Sequence, residues 1–120
     1  MKQSFRLSIL AAGLLTAAAL SPFARAEVAP QRVEITAKRF SFTPDEITVK
    51  KGQPVTIVLK SLDVDHGLRI RDLGVNVKVK GGQTAEVTFT PDKTGDFVGH
   101  CSVFCGSGHG SMKFMLHVVN

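Results

Sequence analysis

The residues best suited to chemistry lie close together near the C-terminus of this 120-residue chain. Two thiols, Cys101 and Cys105, are followed by the imidazole of His109 and the thioether of Met112. Thiolate, thioether and imidazole donors together select copper among the common biological metals. A second imidazole is offered by His66, which follows a β-branched run and a turn-like Asp-Val-Asp segment. These five side chains predict a copper site.

Three other interpretations of the same side chains stay open from spacing alone. A Cys-x3-Cys pair in an exported protein is, taken by itself, typical of a disulfide, although a disulfide gives the downstream His109 and Met112 no role. A structural zinc site commonly pairs two cysteines with two histidines and would leave Met112 idle. A mononuclear type 1 copper site would use His66, Cys105, His109 and Met112, and would leave Cys101 unexplained.

The elements that must position these side chains read as short β-strands. Apolar residues alternate with polar ones along 33–37 and again along 75–79, which is the period of a half-buried strand. Turn signals rich in Gly, Pro and Asp separate the apolar stretches, and no stretch after residue 26 shows helical periodicity. We therefore expect an all-β sandwich of about seven strands, with the last strand at 113–119 and with Phe40 and Phe42 in the core.

The first 26 residues have the layout of a secretory signal peptide. Lys2 and Arg6 precede an uncharged apolar run at 7–20, and the small-residue pattern Ala24-Arg25-Ala26 follows. A bilayer span needs roughly 20 apolar residues, so this shorter run favours cleavage over a membrane anchor. We expect residues 1–26 to be the signal peptide and residues 27–120 to form one domain in the periplasm, without a membrane span.

Charge argues against a nucleic-acid partner. Cleavage after residue 26 removes three of the 15 Lys and Arg residues, which leaves 12 against 10 acidic ones and lowers the formal net charge from +5 to +2. Nucleic-acid binding would need a concentrated basic face, and the basic residues of the remaining chain are scattered along it.

The C-terminal pattern resembles a known metal motif. The segment 101–112 has the pattern Cys101-Ser-x-x-Cys105-Gly-x-x-His109-x-x-Met112. This pattern is similar to the CuA motif of cytochrome c oxidase subunit II and of nitrous oxide reductase. The segment ending in His66 resembles the segment that carries the upstream histidine in that family. The resemblance covers about the whole predicted domain. It implies a cupredoxin-like Greek-key β-sandwich.

The resemblance also implies a particular ligand set for two copper ions. Cys101 and Cys105 would bridge the two ions, with His66 on one ion and His109 on the other. Weak ligands would be Met112 and the backbone carbonyl of Val103. Such a centre implies a copper-binding electron carrier rather than an enzyme, because each copper already has a full set of ligands.

Three departures from the oxidase pattern indicate a free-standing relative rather than an integral oxidase subunit. Val103 stands where the oxidase subunit typically has an acidic residue, no transmembrane hairpin precedes the sandwich, and the chain has no Trp or Tyr to form an aromatic patch. The expected partner is a redox protein that the sequence does not identify.

Two alternative functions follow from the same site. One is a redox accessory of a periplasmic iron uptake system, which would oxidise Fe(II) or accept its electron, with Asp63 and Asp65 as the candidate iron ligands and a ferroxidase-type activity. The other is a copper-binding or copper-delivery module without a redox role. Delivery proteins usually expose Met- and His-rich tails, which this sequence lacks.

Overall fold

The computed structural model describes Gly13 and residues 29–120, so the predicted signal peptide lies outside the described residues apart from Gly13. The described residues form nine β-strands and two short 3₁₀ turns. The strands are β1 (Gln31–Lys38), β2 (Ser41–Thr43), β3 (Glu46–Lys50), β4 (Val55–Ser61), β5 (His66–Ile70), β6 (Val75–Val79), β7 (Thr84–Phe89), β8 (Gly95–His100) and β9 (Lys113–Val119). The 3₁₀ turns span Arg71–Leu73 and His109–Ser111.

Two sheets make up the sandwich. One has the strand order β2-β1-β4-β7 and the other the order β3-β9-β8-β5-β6. The chain crosses between the sheets repeatedly, and the pairs β1–β4 and β3–β9 are parallel while the remaining pairs are antiparallel. This confirms the all-β Greek-key sandwich, with nine strands in place of about seven. The two additional strands are β2 and β5.

The core lies between the inner faces of the two sheets. Every second residue of a strand points inward, so that Phe114, Leu116 and Val118 of β9 are all buried. The ring of Phe42 packs edge-on against Phe114, with ring centroids 6.2 Å apart. Phe42 therefore lies in the core as predicted, but Phe40 does not: its side chain is 37% exposed, because the turn between β1 and β2 interrupts the alternation.

Strand pairing brings the candidate metal ligands to one end of the sandwich. β8 ends at His100 and β9 begins at Lys113, and these two residues face each other across the sheet. Arg69 of β5 faces His100 on the other side, so the start of β5 at His66 lies beside the segment that follows β8. Within the described residues, no helix has the length and apolar character needed to cross a membrane.

Candidate metal centre

The ligand loop, defined as residues 101–112, is closed at its neck by the backbone. The Cys101 amide donates to the Met112 carbonyl oxygen at 3.3 Å, which continues the β8–β9 pairing by one step. Inside the loop, the Met112 amide donates to the carbonyl oxygen of His109 at 3.3 Å and closes the 3₁₀ turn. The loop is also tied to β5, because the Ser102 amide donates to the Gly67 carbonyl oxygen at 3.2 Å. The backbone thus fixes where each donor side chain begins.

All the predicted ligands meet at this end of the sandwich. The two cysteine sulfurs lie 3.8 Å apart. His66 Nδ1 is 3.8 Å from Cys101 Sγ, and His109 Nδ1 is 3.8 Å from Cys105 Sγ. Met112 Sδ is 3.9 Å from Cys105 Sγ. The backbone carbonyl oxygen of Val103, the remaining predicted ligand, lies 3.2 Å from Cys101 Sγ.

These donors fit copper in both spacing and type. Two donors bound to one tetrahedral ion at about 2.0–2.3 Å lie about 3.3–3.8 Å apart, which is close to the spacings in the cluster. The side chain of Met112 is fully buried and directs its thioether sulfur at the thiols. A thioether is a soft donor that suits copper and is not among the usual ligands of zinc. The donor set therefore favours copper over zinc.

The two cysteines are free thiols, and both are buried, with 4% of each residue exposed. Burial raises the pKa of the Cys105 thiol, and the adjacent Cys101 thiol acts in the same direction. The metal-free protein therefore carries a protonated Cys105 at neutral pH. Metal binding must displace that proton, because the thiolate is the ligand.

Asp63 orients the buried ring of His66. Its Oδ1 accepts a hydrogen bond from His66 Nε2 at 2.6 Å, and the ring is completely buried. With the proton held on Nε2, the Nδ1 lone pair faces the thiols. Burial works against ionisation of Asp63, but hydrogen bonds from the Arg39 amide, His66 and the Val64 amide outweigh it and lower the pKa to about 2. This positioning role of Asp63 was not predicted, although an acidic residue three positions before a ligand histidine is a signal for it.

Asp65, the other candidate iron ligand, also has partners within the fold. Its Oδ1 accepts a hydrogen bond from the Gly81 amide at 2.8 Å, and its other oxygen lies 3.6 Å from Lys80 Nζ. Among residues 29–120, the one group of three Cys, His, Asp or Glu donors within 4.8 Å of one another is His66, Cys101 and Cys105. The described part of the chain therefore shows no acidic cluster of that kind for iron.

The turn between β1 and β2 covers the ligand loop. Arg39 Nε donates to the Cys105 carbonyl oxygen at 2.9 Å, and the ring of Phe40 lies against Gly108. A Cβ at Gly108 would come within 2.5 Å of that ring, so glycine allows the close approach. Gly67 has a similar role on β5, because a Cβ there would collide with Ser102 Oγ. Neither contact was predicted, since both join segments far apart in the sequence.

An exposed aromatic surface surrounds the outermost donor. Phe104 is 78% exposed, and its ring centroid lies 5.7 Å from that of His109, which is half-buried. Together with the partly exposed Phe40, these rings form what we call the aromatic surface. The sequence has no Trp or Tyr, so phenylalanine and histidine side chains form this surface.

The two histidines outside the site differ from each other. His100 is exposed at the end of β8. The ring of His117 on β9 is held by carboxylates on both sides, with Nδ1 2.6 Å from Asp96 Oδ1 and Nε2 3.1 Å from Glu46 Oε2. These two hydrogen bonds raise the pKa of His117. His117 is thus a cross-strand link between β8, β9 and β3.

Comparisons with known proteins agree with this geometry. A family model described as a cupredoxin-like domain matches residues 8–112. The nitrous-oxide reductase of Cupriavidus necator is 39% identical over 85 residues, which cover 68% of this chain and 13% of that enzyme. Cytochrome c oxidase subunit 2 of Thermus thermophilus is 31% identical over 80 residues, covering 67% of this chain and 59% of that subunit. The chain thus spans under two thirds of either relative.

A solved structure shares the fold. The periplasmic domain of subunit II of cytochrome oxidase (CoxB) of Bradyrhizobium japonicum superposes with a TM-score of 0.70 at 23% identity, covering 77% of this chain and 86% of that domain. The motif, the donor cluster and the family match agree. The chain therefore belongs to the cupredoxin-like domain family, as a copper-binding electron-transfer domain similar to CuA domains.

Proposed function

We propose that this chain is a periplasmic electron carrier that holds two copper ions in a CuA-like centre. In this proposal residues 1–26 are a signal peptide, and residues 27–120 are the exported domain, which acts apart from any integral oxidase subunit. When bound, the copper pair supplies one-electron redox chemistry. The ligand set is His66, Cys101, Cys105, His109, Met112 and the backbone carbonyl of Val103.

The observation that carries the proposal is the placement of the two imidazoles on different thiols. His66 Nδ1 contacts Cys101 Sγ, whereas His109 Nδ1 contacts Cys105 Sγ, each at 3.8 Å. A type 1 site of His66, Cys105, His109 and Met112 would leave the buried Cys101 thiol, 3.8 Å from His66 Nδ1, without a metal. Two ions that share both sulfurs give every one of these donors a role, which favours the binuclear centre over a type 1 site.

The surrounding residues would keep the ligands in place between redox states. The hydrogen bond between Cys101 and Met112 closes the neck of the loop, and Asp63 holds the ring of His66. The sulfurs and His66 are buried, so water is largely excluded from them. A fixed and dry ligand set needs little rearrangement when the charge of the centre changes, which suits rapid electron transfer.

The aromatic surface is where a redox partner would dock at the outer ligand. His109 is more exposed than His66, and the rings of Phe104 and Phe40 give it apolar surroundings. Aromatic residues are enriched at the centres of protein interfaces, because burying them contributes much of the binding free energy. The partner is a redox protein.

The alternative functions have less support. Copper delivery would require ligands that can be given up, whereas His66 and Met112 are fully buried and Cys101 is nearly so. Oxidation of Fe(II) would require an acidic site, but Asp63 and Asp65 both accept hydrogen bonds within the fold.

Copper analysis of the Cys101→Ser variant tests the proposal. We expect the purified, copper-loaded protein to hold two copper ions per chain and the variant to lose the two-copper spectrum, because a hydroxyl is a poor bridging ligand for copper. The Ser107→Ala variant changes an exposed loop residue that offers no donor to the cluster and should match the wild type. A single copper with an intense blue colour that survives Cys101→Ser would show a type 1 site instead.

A further inference from the structure

A cleft, called the sheet-side cleft below, opens beside the ligand loop on the outer face of the five-stranded sheet. It has a volume of about 470 Å³, and Cys101 lies in its wall together with Arg69, Arg71, His100 and Ser102. Cys105 borders a different cleft, which contains Phe104. The two cysteines thus border different clefts, and the sheet-side cleft shares no residue with the aromatic surface.

The sheet-side cleft is positively charged. Arg69 and Arg71 are exposed, and within the described residues neither guanidinium lies within 4.0 Å of a carboxylate. Arg69 faces His100 across the sheet, and His100 faces Lys113, so a row of basic side chains crosses three strands next to the ligand loop. A guanidinium group is cationic and presents its N–H donors in a planar fork that matches a carboxylate.

The negative charge around this row is limited and unevenly placed. Asp72 is the acidic residue in the wall of the cleft. Asp45 and Glu46, at the start of β3, line a groove together with Lys113. Glu46 also forms a hydrogen bond with His117. The carboxylates near Lys113 offset its charge. Asp72 offsets part of the charge of Arg69 and Arg71, and the cleft keeps a net positive charge.

We propose that this cationic cleft docks a redox protein whose surface carries carboxylates around a one-electron redox group. The proposal rests on the electron-carrier function above. One electron would pass from the reduced centre past Cys101 to the partner, so that the centre is oxidised by one electron and the partner is reduced by one. The aromatic surface would then serve a different partner, and the two proteins would exchange electrons with the carrier from different sides.

Several features favour an acidic protein over an anionic membrane. The cleft is concave, and its two guanidiniums can each grip a protruding carboxylate with two parallel hydrogen bonds. Val98, 40% exposed in the same wall, adds an apolar contact of the kind that protein interfaces bury. A flat bilayer surface could not reach the part of the wall formed by Cys101.

Stopped-flow kinetics with an acidic c-type cytochrome as the probe tests the proposal. The copper-loaded protein is first reduced and then mixed with the oxidised cytochrome at several ionic strengths. We expect the Arg69→Gln/Arg71→Gln variant to react about tenfold more slowly at low ionic strength, and we expect the difference to shrink as salt is added, because steering between charges is screened. The Lys50→Gln/Lys51→Gln variant removes the same charge at the C-terminal end of β3, which pairs with the end of β9 farthest from His100 and the cleft. This control variant should react within about twofold of the wild type.

Equal slowing of the two variants would show that only net charge matters, and it would overturn the proposal, as would an unchanged rate for Arg69→Gln/Arg71→Gln. Loss of binding to phosphatidylglycerol vesicles by Arg69→Gln/Arg71→Gln, without a change in this rate, would assign the cleft to a membrane instead.

NMR titration of the metal-free chain with the same cytochrome tests docking without copper, through changes in the amide chemical shifts. Shifts at Arg69 and His100 support the cleft, and shifts confined to residues around Phe104 overturn it. Failure to bind copper would instead refute the electron-carrier function.

Discussion

Replacing Asp63 with asparagine should weaken copper binding through the orientation of His66. The carboxylate accepts three hydrogen bonds: Oδ2 accepts from the Arg39 amide at 2.8 Å, and Oδ1 accepts from the Val64 amide at 2.7 Å and from His66 Nε2 at 2.6 Å. Asparagine has one acceptor oxygen and one NH₂ group. In either orientation the NH₂ group must face at least one N–H donor, so the variant loses at least one hydrogen bond and the negative charge opposite the imidazole.

The size of the effect follows from these contacts. A hydrogen bond that involves a charged group contributes about 1.5–3 kcal/mol. At about 1.4 kcal/mol per factor of ten, the loss corresponds to a roughly 10–100-fold weaker affinity for copper. The same range is typical when the residue that orients a metal-ligating histidine is replaced. Competition with a copper(I) chelator of known affinity measures the change directly.

Asp65→Asn provides the matched control. It removes an equal charge two residues away, but Asp65 bonds to the Gly81 amide and not to the imidazole. We expect this variant to bind copper within about threefold of the wild type, since the charge it removes is exposed and screened by solvent. The reasoning is refuted if Asp63→Asn binds as tightly as the wild type, or if both variants weaken binding equally.

Two further predictions concern the packing of the ligand loop and the link across the sheet. Gly108→Ala places a methyl group against the ring of Phe40 and should lower copper affinity, since overpacking costs about 1–3 kcal/mol. Gly110→Ala places its methyl group in open space and should leave copper affinity unchanged. The interpretation is wrong if adding Phe40→Leu to Gly108→Ala fails to restore copper binding. His117→Gln should lower the melting temperature more at pH 5.5 than at pH 9. The pKa of His117 is raised in the folded state, so its ion pairs stabilise the fold fully below the ordinary pKa of 6.5. This stabilisation is lost as the pH rises through the folded-state pKa of His117. Thermal unfolding at both pH values checks this, and an equal loss at the two values would contradict it.

The sequence allowed prediction of strands that show alternation or, in β4, a β-branched run at 55–59, whereas β5 shows neither. β6 and β9 each have one face in the core and one toward solvent, and the alternation in the sequence records this difference. β5 was missed because four of its five residues are buried, including Gly67 beneath the ligand loop and His66. A strand covered on both faces by other parts of the chain shows no alternation.

The donor set could also be predicted, but the contacts that position it from distant parts of the chain could not. The four C-terminal side chains occur in one short segment, so their types and spacing are visible without the fold. The contact from Phe40 to Gly108 depends on a turn that lies against the loop in three dimensions, whereas the contact from Asp63 to His66 is local and its spacing is visible in the sequence. Phe40 was expected in the core together with Phe42, but it lies in the turn before β2 and is partly exposed.

Electron paramagnetic resonance of the copper-loaded protein, combined with a copper count on the same sample, tests the central claim most directly. If Cys101 and Cys105 both bridge the same two ions, one unpaired electron is shared between two copper nuclei. The spectrum should then show hyperfine splitting from two equivalent nuclei, in a sample with two coppers per chain. Splitting from one copper nucleus, with one copper per chain, would contradict the account.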